Sequence, residues 1–464
     1  MCGTTSFGQT RLGAVVQYAL LAGPLLSMLD SSIVNVAAAP IAEGLGAGLD
    51  AVGWTVSGYL LALGAGLAGT SYLARRFGTL PVYRVALLAF TLASLACAAA
   101  PDIGVLIAAR AVQGLAGAPL VPLAMSMLLG GGGATRAMSP VAGILLFLGP
   151  ALGPSVGGML VVAAGWRSVF LINVPIAGLA VLAARRIPGE LAPGRARDVR
   201  FDPVGMVFLA AGSTLMLYGT GRAGTSGWPA PQTVSSLSTG LVLLAAYVRW
   251  ARRRAHPAVS LDSARTPGSL LALGLCASAS VATFAAVFLL PVFLQTAQGR
   301  SVAMTGLAML PQGVVTGLGT IAGQRVLTRF SVRATVVGGF VVLAAASAGM
   351  LIIDARTPLA VTATVLAARA AAVGLVITPL LAGLLDPLRD DQLADANTLF
   401  TICQRIGASL GVAGISAWYA ATAATRGPVG ALHAVALALL VLTALSAALS
   451  TALPGTRNTA VLGR

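Results

Sequence analysis

Apolar stretches of about 18 or more residues recur along the whole chain, separated by short segments of Gly, Pro and Arg. Runs of this length predict membrane-spanning helices, and the pattern divides into fourteen. The first six are expected near 13–36, 51–73, 81–100, 104–129, 138–163 and 168–187. An extra pair follows at 203–222 and 234–252. The last six are expected near 268–297, 303–327, 333–354, 358–384, 397–423 and 429–453. Residues 1–187 then form one six-helix bundle and residues 268–464 a second. Residues 188–267 hold an Arg-rich segment and the extra pair. Composition agrees with an all-α membrane protein. Of 464 residues, 57% are hydrophobic and only 9% charged, with a mean hydropathy of +0.90. A soluble domain carries about a quarter charged residues.

The formal charge of +16 could point to nucleic acid, but its distribution points elsewhere. All 29 basic residues are arginine. With the N-terminus in the cytoplasm, only Arg167, Arg222, Arg300, Arg356 and Arg426 fall in outer loops. Arg110, Arg369 and Arg405 lie within helices, and the other 21 sit on the cytoplasmic side. That asymmetry is the positive-inside rule, with both termini cytoplasmic. It orients the chain in the plasma membrane and leaves no nucleic-acid partner to explain. The four cysteines form no ligand cluster and the two histidines are far apart, so neither a metal nor a cofactor is expected. The first apolar segment lacks a small-residue cleavage pattern, so it reads as a retained helix. Gly130–Gly133 is followed by no Gly-Lys-Ser/Thr, which argues against a phosphate loop and ATP hydrolysis.

The halves echo each other. "LIAARAVQGLAGAPL" (106–120) resembles "VLAARAAAVGLVITPL" (365–380), matching Arg110 with Arg369. Gly149-x-x-x-Gly153 matches Gly407-x-x-x-Gly411 one helix later. Parallel six-helix repeats with a substrate path between them are a transporter architecture.

Of the 13 acids, only Asp30 falls well inside a predicted helix. An intramembrane carboxylate is a functional candidate by default. Burial favours the neutral form of a carboxyl, so such a group could take up and release a proton. Asp30 lies about 25 Å above the cytoplasmic start of its helix, at about 1.5 Å per residue. Arg110, on an oppositely running helix, lies about 9 Å below its outer end. Both depths fall in the outer half of the membrane, with Gln113 as a polar neighbour. A permanently paired structural acid, or an arginine that only anchors backbone carbonyls, is the alternative reading. An intramembrane enzyme would need clustered His, Asp, Ser or Cys at matched depth, and none is present.

These segments resemble the fourteen-helix drug:proton antiporter branch of the major facilitator superfamily, over nearly the whole chain. "LDSSIVNVAAAP" (29–40) is similar to the branch's L-D-x-T-I-V-N-V-A-L-P, with Pro40 displaced by one residue. "RAVQG" (110–114) resembles the fourth-helix motif. Gly149 followed by "GPSVGG" (153–158) matches the antiporter motif G-x-x-x-G-P-x-x-G-G. "WRSVFLINVP" (166–175) also fits. The resemblance implies a major-facilitator fold and proton-coupled export of lipophilic or cationic small molecules by a monomer in the lipid bilayer. It assigns proton coupling and substrate binding to Asp30, Arg110 and Gln113. It assigns a hinge and seal to Gly149, Gly153, Pro154, Gly157 and Gly158. A dedicated exporter of one metabolite or antibiotic, or a sensor derived from a transporter, would carry the same residues.

One motif departs from the family. The loop after the second helix should read G-x-L-A-D-R-x-G-R-R and instead reads "SYLARRFGTL" (71–80). Arg75 stands where the acid is expected, followed by Arg76 and Gly78. The family's cytoplasmic charge latch is therefore expected to be altered or absent. Gln404-Arg405 also reverses the family's order.

Overall fold

The apolar runs fold as helices because a backbone in lipid must satisfy its own hydrogen bonds. The computed structural model of the chain describes residues 14–47, 49–129, 156–189, 201–254, 256–386, 388 and 392–454. Gly130–Gly133, Gly149, Gly153 and Pro154 lie outside the described residues.

The first half comprises α1 (Ala14–Val36), α2 (Ala38–Leu45), α3 (Leu49–Phe77), α4 (Thr79–Ala98), α5 (Ile103–Gly117), α6 (Leu120–Leu129), α7 (156–164), α8 (Ser168–Leu171) and α9 (Asn173–Ala184). The extra pair is α10 (Pro203–Ser226) and α11 (Pro231–Ala251). The second half comprises α12 (Pro267–Thr296), α13 (Val302–Arg329), α14 (Val332–Ala348), α15 (Leu359–Leu385) and α16 (Leu393–Ser450). No strand occurs among the described residues. Among the described residues, nine helical stretches are long and apolar enough to cross a membrane, with α5 and α6 together making one of them.

Where the residues are described, the helices follow the expected segments in order, with local differences; most of the expected segment 138–163 lies outside the described residues. The segment at 104–129 is broken between α5 and α6 at residues 118–119. The last two segments run as one element, α16, which is kinked where Gly427 adopts φ 73°. That element starts at Leu393, four residues before the expected 397, and so includes Asp395.

Large hydrophobic side chains line the outside. Val85, Leu88, Leu92 and Leu95 form an exposed stripe on α4, and Leu437, Val441, Leu445 and Leu449 form one on α16. Stripes at helical spacing on the outer surface are what a lipid-facing helix requires. Inside, one apolar core joins α12 to α16. Another joins α1, α3, α4, α6 and α9, and takes in Tyr247, Val259 and, from α16, Ala394 and Ile402.

Glycine sets the closest helix approaches, as expected where packing rather than water drives association. A Cβ on Gly374 would lie 2.3 Å from the Thr320 backbone nitrogen, where α15 crosses α13. Gly114 makes the equivalent approach of α5 to α3, 2.3 Å from the Tyr59 carbonyl oxygen. Gly407 and Gly411 press α16 against the Ala277 and Val281 carbonyls of α12. Gly157 meets Ile33 of α1, with its Cβ position 2.7 Å from Ile33 Cγ1. Gly158, the next residue, is half-buried.

Gly374→Ala is expected to cost about 1–3 kcal/mol through forced separation of two backbones. Gly338→Ala, where a Cβ meets nothing within 4 Å, should be neutral. Apparent melting temperatures of the two variants in detergent check this.

Candidate functional site

Each functional side chain is delivered by a helical repeat. Ser27 and Asp30 share one face of α1, Thr55 and Tyr59 one face of α3, and Arg110 and Gln113 one face of α5, at spacings of three or four residues. Ser94 and Cys97 do the same on α4. The approach enabled by Gly114 brings α5 onto α3, so that Arg110 Nε donates to the Thr55 carbonyl at 3.1 Å. The guanidinium lies over the Tyr59 ring, 4.1 Å from its centroid, and 5.8 Å from that of Phe170.

The structure brings Asp30, Arg110 and Gln113 together, all fully buried. Arg110 Nη1 donates to Asp30 Oδ2 at 2.5 Å and to Gln113 Oε1 at 2.7 Å. Asp30 Oδ1 accepts from Gln113 Nε2 at 3.0 Å and from Asn173 Nδ2 at 2.8 Å. Ser94 Oγ accepts from the same two amides, at 2.6 Å from Gln113 and 3.3 Å from Asn173. The carboxylate thus receives three donors from two helices. Within this cluster, Arg110 Nη2 and Asn173 Oδ1 have no hydrogen-bond partner among the described residues.

Asn173 and Ser94 complete the site, although the sequence reading assigns them no role. Pro175 lacks the donor that would bond the Leu171 carbonyl. The helix is interrupted at Ile172, and Asn173 opens α9 beside Asp30. The available signal was an amide beside a helix-breaking proline in an apolar run. Arg369, the repeat mate of Arg110, has a different setting. It donates to Ser347 Oγ at 2.5 Å and to the Ala282 carbonyl at 2.7 Å, with no carboxylate.

A second ionic cluster lies at the far end of α3. Arg75 pairs with Asp395 of α16. Arg75 Nη2 also donates to the carbonyls of Pro257 and Ala258, at 2.9 and 3.0 Å. Ser260 N donates to Asp395 Oδ2 at 2.9 Å, and Ser71 Oγ donates to Thr398 Oγ1 at 3.0 Å. The 257–260 strap is itself held. Ala258 N donates to Asp202, and Tyr247 exchanges two hydrogen bonds with Val259. Arg76 is exposed and Gly78 caps the start of α4 with φ 92°. Asp30 is therefore one of three buried acids among the described residues, with Asp202 and Asp395.

Long apolar helices with ion pairs buried between them define a multi-pass membrane protein, and comparisons with known proteins give its class. The Major Facilitator Superfamily pattern matches residues 20–412. The chain is 33% identical over 400 residues to the multidrug resistance protein B homolog of Mycobacterium tuberculosis, covering 84% of this chain and 73% of the relative. It is 31% identical over 403 residues to a methylenomycin A resistance protein of Streptomyces coelicolor, covering 85% and 83%. The solved proton:xylose symporter XylE shares the fold, with a TM-score of 0.59 at 14% identity over 96% of each chain. The chain belongs to the Major Facilitator Superfamily. It is a multi-pass membrane protein of a family that moves small molecules across membranes.

Removing one partner of a buried ion pair leaves an uncompensated charge, at a cost of about 3–5 kcal/mol. Asp30→Asn and Arg110→Gln should each destabilise the protein, and the double variant by clearly less than their sum. A thermal-stability double-mutant cycle measures this, with coupling above about 1 kcal/mol expected. Additive losses would dismiss the pair.

Proposed function

We propose that this protein is a proton-coupled exporter of drugs or drug-like small molecules. It works as a monomer in the plasma membrane, with both termini cytoplasmic. Its two bundles, residues 1–187 and 268–464, rock about the path between them, with residues 188–267 as a linking pair. The observation that carries the reading is the Asp30 carboxylate, which receives donors from α5 and α9. The names of the relatives as resistance proteins support export as the direction.

Protonation of Asp30 removes the negative charge that holds the Arg110 guanidinium. The α1–α5 tie then weakens, and the freed donors must find other acceptors as the helices shift. A proton arriving from outside is in this way converted into a change of helix contact. Gly157 and Gly158, with Gly149, Gly153 and Pro154, form the hinge of the adjoining helix in this scheme. The contact of Gly157 on Ile33 supports that assignment, because α1 carries Asp30 one turn away.

The adjacent arginines 75 and 76 support a cytoplasmic position for the Arg75–Asp395 contact. It serves as the inner gate, with Gly78 shaping the turn that follows. Its polarity is the reverse of the family pattern, with the cation on the first half and the acid on the second. A dedicated exporter of a single antibiotic is the second reading, favoured by the single compound in the name of the Streptomyces relative.

In inverted vesicles, Asp30→Asn is expected to abolish uptake of a fluorescent drug driven by a pH gradient. Uphill, pH-dependent transport by that variant would end the proton-coupling reading. Thr398→Cys, buried behind the gate, should react slowly with a membrane-impermeant maleimide in the same vesicles. Adding Arg75→Ala should speed this on the order of tenfold or more, by shifting the population towards the open inner side. An unchanged rate would remove Arg75 from the gate.

A further inference from the structure

One face of α16, carrying Asp395, Thr398, Ile402, Arg405 and Ser409 at alternating spacings of three and four residues, turns towards the first half of the molecule and α10 of the extra pair. Four of these five are engaged. Asp395 pairs with Arg75, Thr398 bonds Ser71, and Ile402 enters the first-half core. Ser409 shares a hydrogen bond with Thr220 of α10. Arg405 differs. It is half-buried between engaged neighbours and has neither a hydrogen bond nor an ion pair with any described residue. Its charge lies within electrostatic reach of Tyr59, whose ring covers Arg110 on its face.

A guanidinium at this depth is expensive to leave without a partner. The other two mid-helix arginines have direct partners, Arg110 in Asp30 and Arg369 in Ser347 and Ala282. Deep in the helices three arginines stand against one carboxylate, Asp30, a formal excess of two positive charges. A cationic substrate would enter against that excess. An ionised acid group would reduce it, and the guanidinium fork matches a carboxylate or sulfonate with two parallel donors.

We infer that Arg405 anchors the ionised acid group of the transported molecule, which is a lipophilic organic acid held between α3 and α16. The inference rests on the reading of the chain as a small-molecule exporter and names its substrate class. Asp30 keeps its own cation in Arg110, so each negative charge is separately compensated. For a cation, the proton on Asp30 would be a competitor. For an acid it acts instead on the α1–α5 contact. The departing anion moves outward with an inside-negative membrane potential.

Three dansyl probes of matched size test this by equilibrium binding to the purified full chain, read by fluorescence. Dansylglycine carries a carboxylate, dansylglycinamide is neutral and dansylcholine is cationic. Wild type should bind dansylglycine on the order of tenfold more tightly than the amide, as for one charge-assisted contact. Arg405→Gln should lose that preference and keep its affinity for the amide, which also reports that the variant is folded. Arg405→Lys should retain part of the preference. Equal binding of the three probes by wild type, or no binding of any, would overturn the inference. So would a preference for dansylcholine, or a carboxylate preference that survives Arg405→Gln. Binding requires no transport. Absence of export with the Arg405-dependent preference intact would count against the efflux reading alone and still support Arg405.

Discussion

The structure turns on the difficulty of burying a charge away from water. A carboxylate and a guanidinium taken into a low-dielectric interior repay their desolvation only when geometry is good and every remaining lone pair or proton is met. Asp30 and Arg110 satisfy most of that demand through features that otherwise look unrelated. Gly114 exists as glycine because α5 must touch the α3 backbone for Arg110 to reach the Thr55 carbonyl. Pro175 interrupts a helix so that Asn173 can face Asp30. Ser94 accepts from both amides that serve the carboxylate. The polar residues of four helices are thereby fixed in place by one acid.

The second half repeats the arginine without the acid. Arg369 on α15 bonds a serine of α14, as the Arg110 cluster engages Ser94 of α4, but where α1 supplies a carboxylate α12 supplies the Ala282 carbonyl. A carbonyl cannot take up a proton, so only the first half has an acid–arginine site of this kind among the described residues. The repeat thus conserves a packing solution while differing in chemistry, and the difference is concentrated at one residue. The excess positive charge of the second half follows from the same absence.

Much of this was legible in the sequence, for definite reasons. The apolar runs and the sided arginines are long-range averages that survive errors of a few residues at each boundary. Depth alone was enough to bring Asp30 opposite Arg110, because two antiparallel helices of known rise leave few choices. The partners of Arg75 were not legible. Asp395 is 320 positions away, and a helix start drawn at 397 left it in a loop, where an acid needs no explanation. The reversal of sign in the loop after the second helix therefore read as a lost contact. Asn173 and Ser94 were missed because isolated serines and amides are common in membrane helices, and only their convergence on one carboxylate distinguishes them.

The two ionic clusters are linked through a single element. Thr55 and Tyr59 near the start of α3 seat Arg110, and Ser71 and Arg75 near its end reach α16. About twenty residues separate them, roughly 30 Å along the axis. Between them α3 presents Gly64, Gly66 and Gly69, whose bare faces take Leu217 of α10, Ala118 and Met206 of α10 respectively. Glycine lowers the intrinsic rigidity of a helix, but here neighbours occupy the space that side chains would fill. The middle of α3 is consequently held by the elements around it, with α10 following its surface and bonding α16 through Thr220 and Ser409. A shift at the Arg110 seat cannot be absorbed by α3 alone. It must be shared with α10, and through α10 with the face of α16 that carries Asp395 and Arg405.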